Sequence, residues 1–234
     1  MLFKKRIILA VDTPDFDVAR SWVEATQESI AAYKIGLEFF TTFGYEGVAR
    51  LREISDAELF LDLKLHDIPN TVAGAAQQVK KLSPKFLTVH ACGGRAMIRA
   101  AVENAPLVDI AAVTILTSLN TTDLQEIGFA QPPLDAAVKL AVLAQESGAR
   151  AIVCSPLEIQ GIRRAVGPDI SIITPGVRPA DEAGGDDQAR VMTPELAVAA
   201  GADFLVIGRP ITRFWVHGAH AMAERARALA ASVN

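Results

Sequence analysis

The chain has 234 residues, of which 50% are hydrophobic and 21% are charged, and its formal net charge is −4 at pH 7. This length and composition allow a sizeable core and exclude a disordered chain. The acidic balance, without a Lys/Arg run on any predicted helix, argues against nucleic acid as a partner, so an anionic ligand would need a local site.

Strand-like and helix-like runs alternate along the whole chain. The predicted strands are Arg6–Asp12, Ala32–Gly36, Leu59–Lys64, Phe86–His90, Val108–Leu116, Ala149–Cys154, Ile170–Thr174 and Phe204–Ile207. The predicted helices include Phe16–Glu28, Thr71–Leu82, Arg95–Asn104, Pro133–Ser147, Leu157–Ala165, Pro194–Ala200 and Gly218–Ala231. Eight such units predict an α/β fold, a closed (β/α)8 TIM barrel, with a doubly wound open sheet as the alternative. Because no Ser/Gly/Pro-rich linker divides the chain, residues 1–234 are interpreted as a single domain.

The cellular location of the protein is indicated by the sequence signals for membranes and secretion, which this sequence lacks. No apolar stretch reaches the roughly 18 uncharged residues of a membrane span, and the N-terminus has no signal-peptide pattern. Cys92 and Cys154 are too few for a disulfide framework and lack metal-ligand spacing, so both are expected to be buried free thiols. We therefore expect a cytoplasmic protein without a membrane partner.

The third predicted strand carries the most informative pattern. Leu61, Leu63 and Leu65 alternate with Asp62 and Lys64, which places the two charged side chains on one face of a strand. Strands of a parallel sheet are covered on both faces, and a covered charge costs several kcal/mol unless it is compensated. The pair therefore needs either a structural partner or a chemical role.

Three consecutive predicted strands bring charged residues to the same rim. Asp12 ends the first strand, Lys34 lies in the second, and Asp62 and Lys64 end the third. Active sites of (β/α)8 barrels lie at the carboxyl ends of the strands. Alone, Asp62 and Lys64 could form a structural ion pair, but the neighbouring Asp12 and Lys34 favour an active site.

The residues around these positions resemble the orotidine 5′-phosphate decarboxylase family. The resemblance rests first on the run Asp62-Leu-Lys64-Leu-His-Asp67-Ile-Pro-Asn-Thr71. It extends to Val11-Asp12, Tyr33-Lys34-Ile-Gly36, Leu116-Thr117-Ser118, Thr174-Pro-Gly-Val-Arg178-Pro, Gln188 and Gly208-Arg209-Pro. The short pattern Asp-x-Lys-x-x-Asp alone is shared with related sugar-phosphate decarboxylases. The ten-residue run together with the other elements is highly specific for the orotidine 5′-phosphate decarboxylase family.

The resemblance implies a reaction and an assembly. The family converts orotidine 5′-phosphate, a small nucleotide, to UMP and carbon dioxide in the last step of pyrimidine nucleotide synthesis, as a homodimer without metal or cofactor. Lys64 would donate the proton to C6 of the pyrimidine, and Asp62 would lie beside the substrate carboxylate. Asp67 and Thr71 would cross the dimer interface into the active site of the partner subunit, where Asp67 would hold the lysine.

The resemblance also implies the residues that bind the substrate. Lys34 and Asp12 would contact the ribose hydroxyls, with Lys34 completing the charged array. The phosphate would be bound by Gln188, by the backbone of Gly208 and by Arg209. A glycine after the eighth strand and the helix start that follows suit an anion, and phosphate sites recur at this place in the fold.

The run from Thr174 to Thr193 lacks periodicity over roughly twenty residues, which is typical of a binding loop or lid. Arg178 in this run could be a surface residue, but contact with the ligand or with the closed loop is favoured. Thr117 and Ser118, at the end of the fifth predicted strand, could be turn residues, although their rim position favours contact with the pyrimidine.

Three further alternatives stay open at the level of sequence. Asp67 could simply cap the helix entered through Pro69, since Asp is favoured at helix starts. A 3-keto-gulonate 6-phosphate decarboxylase or a hexulose-phosphate synthase would use Mg²⁺ and an acidic residue shortly before the Asp-x-Lys run, and Glu58 lies on the face of Asp62. A catalytically silent nucleotide sensor is disfavoured, because it would not need a covered proton donor.

Overall fold

The computed structural model describes residues 5–179 and 192–233. Its strands are β1 (Ile7–Ala10), β2 (Ala32–Ile35), β3 (Glu58–Leu65), β4 (Phe86–His90), β5 (Asp109–Val113), β6 (Ala151–Val153), β7 (Ser171–Thr174) and β8 (Phe204–Ile207). Each strand pairs in parallel with the next, and β8 pairs with β1, so the sheet closes on itself. The prediction of a (β/α)8 barrel is confirmed, and the open-sheet alternative is wrong.

Helices connect the strands on the outside of the barrel. They are α1 (Phe16–Thr26), α2 (Leu37–Arg52), α3 (Pro69–Val79), α4 (Gly94–Asn104), α5 (Thr121–Glu126), α6 (Pro133–Glu146), α7 (Ile159–Val166), α8 (Pro194–Ala199), α9 (Arg209–Thr212) and α10 (Ala219–Ser232). Of the helices described here, none combines the length and the apolar character that crossing a membrane requires.

Two helices that the sequence pattern did not predict have local explanations. The helical run α2 is kinked at Gly44, whose φ of 61° lies in the left-handed region, and this break disrupts a single helical period. The short helix α5 begins with a capping box, in which the Asn120 side chain accepts the backbone N–H of Asp123 and the Asp123 side chain accepts that of Asn120. Six residues are too few to show a helical period, so only the cap marks α5 in the sequence.

The barrel interior is filled by apolar side chains. This cluster consists of Ile8, Ala10, Ala32, Phe60, Phe86, Ala111, Ala151, Ile173 and Val206. Phe86 packs edge-on against both Phe60 and Phe204, with ring centroids 5.5 Å apart in each pair. Burial of each of these rings stabilises the fold by about 1.5–3 kcal/mol. Above this apolar cluster, at the carboxyl ends of the strands, the polar residues Lys34, Asp62 and Lys64 of β2 and β3 line a cavity.

Four strands end earlier than the sequence predicted, β2 and β6 by one residue each and β1 and β5 by more. β1 ends at Ala10, although the Val11 amide still donates to the Lys34 carbonyl at 3.0 Å. β5 ends at Val113 and not at Leu116, because the Leu119 amide closes a turn onto the Leu116 carbonyl at 3.0 Å. Residues 117 and 118 therefore lie in that turn and do not end the strand. The expectation of two buried thiols is right for Cys154 and wrong for Cys92, which is exposed.

Candidate active site

A cavity of about 340 Å³ opens at the carboxyl ends of the strands. The predicted site residues that line it are Asp12, Lys34, Asp62, Lys64, Thr117, Arg178, Gly208 and Arg209. They come from six separate segments of the chain, which the closed barrel brings to one place. The structure thus gathers most of the predicted residues around a single space of the size of a small ligand.

The charged residues form an alternating row along one wall. The Lys34 Nζ lies 3.4 Å from Asp12 Oδ1 and 3.3 Å from Asp62 Oδ2. The Lys64 Nζ lies 2.8 Å from Asp62 Oδ1. Asp62 and Lys34 expose only 13% and 11% of their side chains. Removing one member of such a covered pair leaves an uncompensated charge, at a cost of about 3–5 kcal/mol.

The electrostatic balance at Asp62 favours its ionised form. Burial by itself raises the pKa of this carboxyl group, but the Lys34 and Lys64 ammonium groups outweigh burial and lower the pKa below its ordinary value of 3.8. Asp62 is therefore a carboxylate at neutral pH and is able only to accept hydrogen bonds.

The lowered pKa of Asp62 predicts a pH dependence of stability. A carboxyl group whose pKa is lower in the folded state stabilises the protein fully above its unfolded-state pKa, and this contribution is lost as the pH falls through the folded value. We expect the wild-type free energy of unfolding to decline below about pH 4, and Asp62→Asn to show a smaller decline. Urea unfolding between about pH 5 and pH 3 measures both slopes.

The matched control for that measurement is Asp17→Asn. Asp17 is 83% exposed in a surface pair with Arg20, so its removal should leave the wild-type pH slope unchanged. An Asp62→Asn slope equal to that of wild type would contradict the balance described for Asp62.

Lys64 has an unusual backbone conformation. Its φ of 48° lies in the left-handed region, which costs a non-glycine residue about 1–3 kcal/mol. Between Leu61 and Leu65 the register shifts, so that four steps along β3 match two steps along β4, from Leu87 to Val89. This bulge turns the Lys64 amide toward Thr88, whose Oγ1 accepts it at 2.8 Å.

Thr88 is a polar residue of this region that the sequence analysis missed. It lies in β4, is fully buried, and its hydroxyl contacts Asp62 Oδ1 at 3.1 Å. The sequence of β4 could have identified Thr88 as an interior polar residue, because strand alternation places Thr88 and His90 on the interior face with Phe86. Thr212, beside Arg209 in the cavity wall, was missed as well.

The wall facing the charged row is apolar. It is formed by Val113, Ile115 and Leu116 after or within β5 and by Val153 and Cys154 at the end of β6. In a closed eight-stranded barrel these strands lie across from β1 and β2. Burial raises the pKa of the Cys154 thiol, so this side chain is a neutral part of the wall. The cavity therefore offers charge to one side of a ligand and an apolar surface to the other.

Two arginines supply positive charge at the β7 and β8 side of the cavity. Arg178 is 8% exposed, so its interpretation as a surface residue is wrong. Arg209 begins α9. This helix start offers few donors, because Pro210 has no N–H and the next two amides donate to the Gly208 carbonyl at 2.8 and 3.0 Å. The attraction for an anion therefore comes mainly from the guanidinium groups.

The predicted loop is described only at its two ends. The Arg178 amide donates to the Met192 carbonyl at 3.0 Å, in a parallel bridge between Val177 and Met192. This contact joins the ends of the segment between them. Gln188 lies outside the described residues, so its predicted role stays a prediction.

The remaining predicted residues do not line the cavity. Asp67, Thr71 and Ser118 are all exposed. The Asp67 Oδ1 accepts the amide of Ile68 at 2.6 Å, and Ile68, the N-cap residue of α3, makes no side-chain cap bond. Asp67 therefore lies one residue before the cap, and its interpretation as the helix cap is wrong.

The comparisons with known proteins agree on one family. Residues 5–214 match the family model described as Orotidine 5'-phosphate decarboxylase / HUMPS family. The chain is 56% identical over 217 residues to the orotidine 5′-phosphate decarboxylase of Thermobifida fusca (strain YX), covering 93% of each chain. It is 48% identical over 245 residues to that of Frankia casuarinae, covering 97% of this chain and 87% of the relative. The crystal structure of orotidine 5′-phosphate decarboxylase from Lactobacillus acidophilus superposes with a TM-score of 0.83 at 31% identity, covering 98% of this chain and 99% of that one.

Proposed function

The chain belongs to the orotidine 5′-phosphate decarboxylase / HUMPS family, and from this we propose that it is a lyase that converts orotidine 5′-phosphate to UMP and carbon dioxide in pyrimidine nucleotide synthesis. The observation that carries the proposal is the Asp12–Lys34–Asp62–Lys64 row beside an apolar wall. We further propose that residues 1–234 act as one cytoplasmic catalytic domain.

Lys64 is the proposed proton donor. Loss of carbon dioxide from C6 leaves a lone pair in an sp² orbital, which the pyrimidine ring cannot delocalise well. An ammonium group at that carbon stabilises the developing charge and then supplies the proton. Lysine suits this task because its proton is transferable, whereas arginine holds its proton too tightly. The 2.8 Å contact with Asp62 supports the role, since it orients the ammonium group.

Asp62 is proposed to lie beside the substrate carboxylate. Its lowered pKa keeps it ionised, so the two carboxylates repel each other until carbon dioxide leaves. The role proposed for Asp62 is positioning of the Lys64 ammonium group, which it contacts at 2.8 Å.

The proposed orientation of the nucleotide follows the charges of the cavity. Lys34 and Asp12 would bind the ribose hydroxyls, and the turn residues Thr117 and Ser118 the pyrimidine. Phosphate would be bound by Arg209, the Gly208 backbone and Gln188, with Arg178 contacting the ligand or the closed loop. Binding energy from the phosphate, remote from C6, can then be used to lower the chemical barrier.

A homodimer with shared active sites is the proposed assembly. Support comes from the exposed run around Asp67 and Thr71, which includes Ile68 with 66% of its surface exposed. This run follows β3 at the carboxyl end of the barrel, where the cavity opens, so a second copy of this chain packed on that face would contact it. In a two-fold dimer each Asp67 would then reach the Lys64 of the partner subunit.

The proposed reaction needs neither metal nor cofactor. Glu58, the acidic residue that the magnesium-dependent alternative would use, does not line the cavity. Glu58 pairs with Ala32 at the start of β3 and lines a separate cleft at the amino ends of the strands. The acidic residues that line the cavity in the described part of the chain are Asp12 and Asp62, and both contact Lys34.

Chelation separates the metal-free reaction from its alternative. Turnover of orotidine 5′-phosphate, followed by its ultraviolet absorbance, should be unchanged after dialysis against EDTA and without added Mg²⁺. Loss of activity that Mg²⁺ restores would favour the magnesium-dependent alternative. A chain that binds UMP without consuming orotidine 5′-phosphate would be the sensor, and the proposed function would be wrong.

A further inference from the structure

Thr88 connects the backbone and the side chains of the charged row. Its Oγ1 lies 2.8 Å from the Lys64 amide nitrogen and 3.1 Å from Asp62 Oδ1. The directions of both bonds are fixed by chemistry: the amide can only donate, and the ionised Asp62 can only accept. The hydroxyl of Thr88 therefore accepts from Lys64 and donates to Asp62.

These contacts close a ring of hydrogen bonds. The Lys64 amide donates to Thr88, Thr88 donates to Asp62 Oδ1, and the same oxygen accepts the Lys64 Nζ at 2.8 Å. The ring encloses the left-handed φ of 48° at Lys64. A strained backbone persists only where its surroundings hold it, and Thr88 is the side chain that binds both ends of this segment.

Resting on the proposed function, we propose that Thr88 is a positioning residue, which holds the left-handed backbone of Lys64 so that its ammonium group stays beside Asp62. The side chain does not line the cavity, so it acts through Lys64 and Asp62 and not on the substrate. This role requires the hydroxyl group and makes little use of the methyl group.

The test compares Thr88→Val with Thr88→Ser. Valine keeps the shape and removes both hydrogen bonds, whereas serine keeps both. For Thr88→Val we expect kcat to fall roughly 10- to 100-fold, with KM and the Kd for UMP changed less than about threefold. Thr88→Ser should keep kcat within about threefold of wild type.

Thr26→Val is the control for loss of a buried hydroxyl. Thr26 is also fully buried, and its Oγ1 donates to the Trp22 carbonyl at 2.7 Å within α1, away from the cavity. This variant should melt at a lower temperature and keep the wild-type kcat. If Thr88→Val does not fold, Thr88→Ala replaces it in the comparison with Thr88→Ser. We expect the same fall in kcat, roughly 10- to 100-fold, for the alanine variant.

Two kinetic results would overturn the role of Thr88. One is a kcat of Thr88→Val, or of its alanine replacement, within about threefold of wild type; the other is an equal loss in Thr88→Ser. A crystal structure of the hydroxyl-free variant tests the role without substrate: Lys64 should leave positive φ, or its Nζ should lie more than about 3.5 Å from Asp62 Oδ1. Unchanged geometry there also refutes the inference, whereas an inactive wild type refutes only the proposed function.

Discussion

Lys64→Ala is expected to lower kcat for orotidine 5′-phosphate by roughly four orders of magnitude or more. Two effects of the ammonium group are lost together, namely proton donation, worth about 10²- to 10⁴-fold, and stabilisation of the developing charge, worth about 10²- to 10³-fold. Product binding depends mainly on contacts elsewhere in the cavity, so the Kd for UMP should change less than about tenfold. Single-turnover kinetics and titration with UMP measure the two quantities.

Two further lysine variants sharpen the Lys64 experiment. Lys64→Arg keeps a positive charge but holds its proton too tightly, so it should recover little of the lost kcat. Lys85→Ala removes a lysine that pairs with Asp109 at 2.6 Å, at the opposite end of the barrel, and should keep the wild-type kcat. Turnover of Lys64→Ala near that of Lys85→Ala would remove the central role proposed for Lys64.

The charged row could be predicted because it follows from two simple regularities. Strand alternation places Asp62 and Lys64 on one face, and the closed barrel brings the ends of β1, β2 and β3 together. The separations of 2.8–3.4 Å between neighbouring charges agree with that geometry. Residue type and spacing therefore sufficed to predict which side chains meet.

The finer geometry of the site could not be predicted from spacing. The left-handed φ of Lys64 and the register shift of β3 occur where the Lys64 amide donates to a hydroxyl of the next strand, 24 residues along the chain. The period of two along a strand also does not reveal where its pairing ends, so the sequence places Thr117 at the end of a strand that in fact stops at Val113. Likewise the apolar wall consists of residues such as Ile115, which look like ordinary core in the sequence.

Mixing inactive variants is expected to restore activity if Asp67 acts in the partner's site. Homodimers of Lys64→Ala and of Asp67→Ala should each be poorly active. For Asp67→Ala we expect kcat to fall roughly 10²- to 10³-fold relative to wild type. In a mixed dimer one site combines Lys64 from the Asp67→Ala subunit with Asp67 from the Lys64→Ala subunit, and the other site lacks both. Random exchange of subunits at equal concentration makes half of the dimers mixed. Because one of the two sites in each mixed dimer is intact, activity should return to about a quarter of wild type.

The structure provides a matched control for this mixing experiment. Asp62 contacts Lys64 within one subunit at 2.8 Å, so a dimer of Lys64→Ala with Asp62→Ala contains no intact site in either position. That mixture should stay inactive while the Asp67 mixture recovers. Exchange is verified by separating differently tagged subunits, which also measures the mixed fraction. If verified mixed dimers of Lys64→Ala and Asp67→Ala are as inactive as the control, Asp67 does not complete the partner's site, and its exposure at the rim needs another explanation.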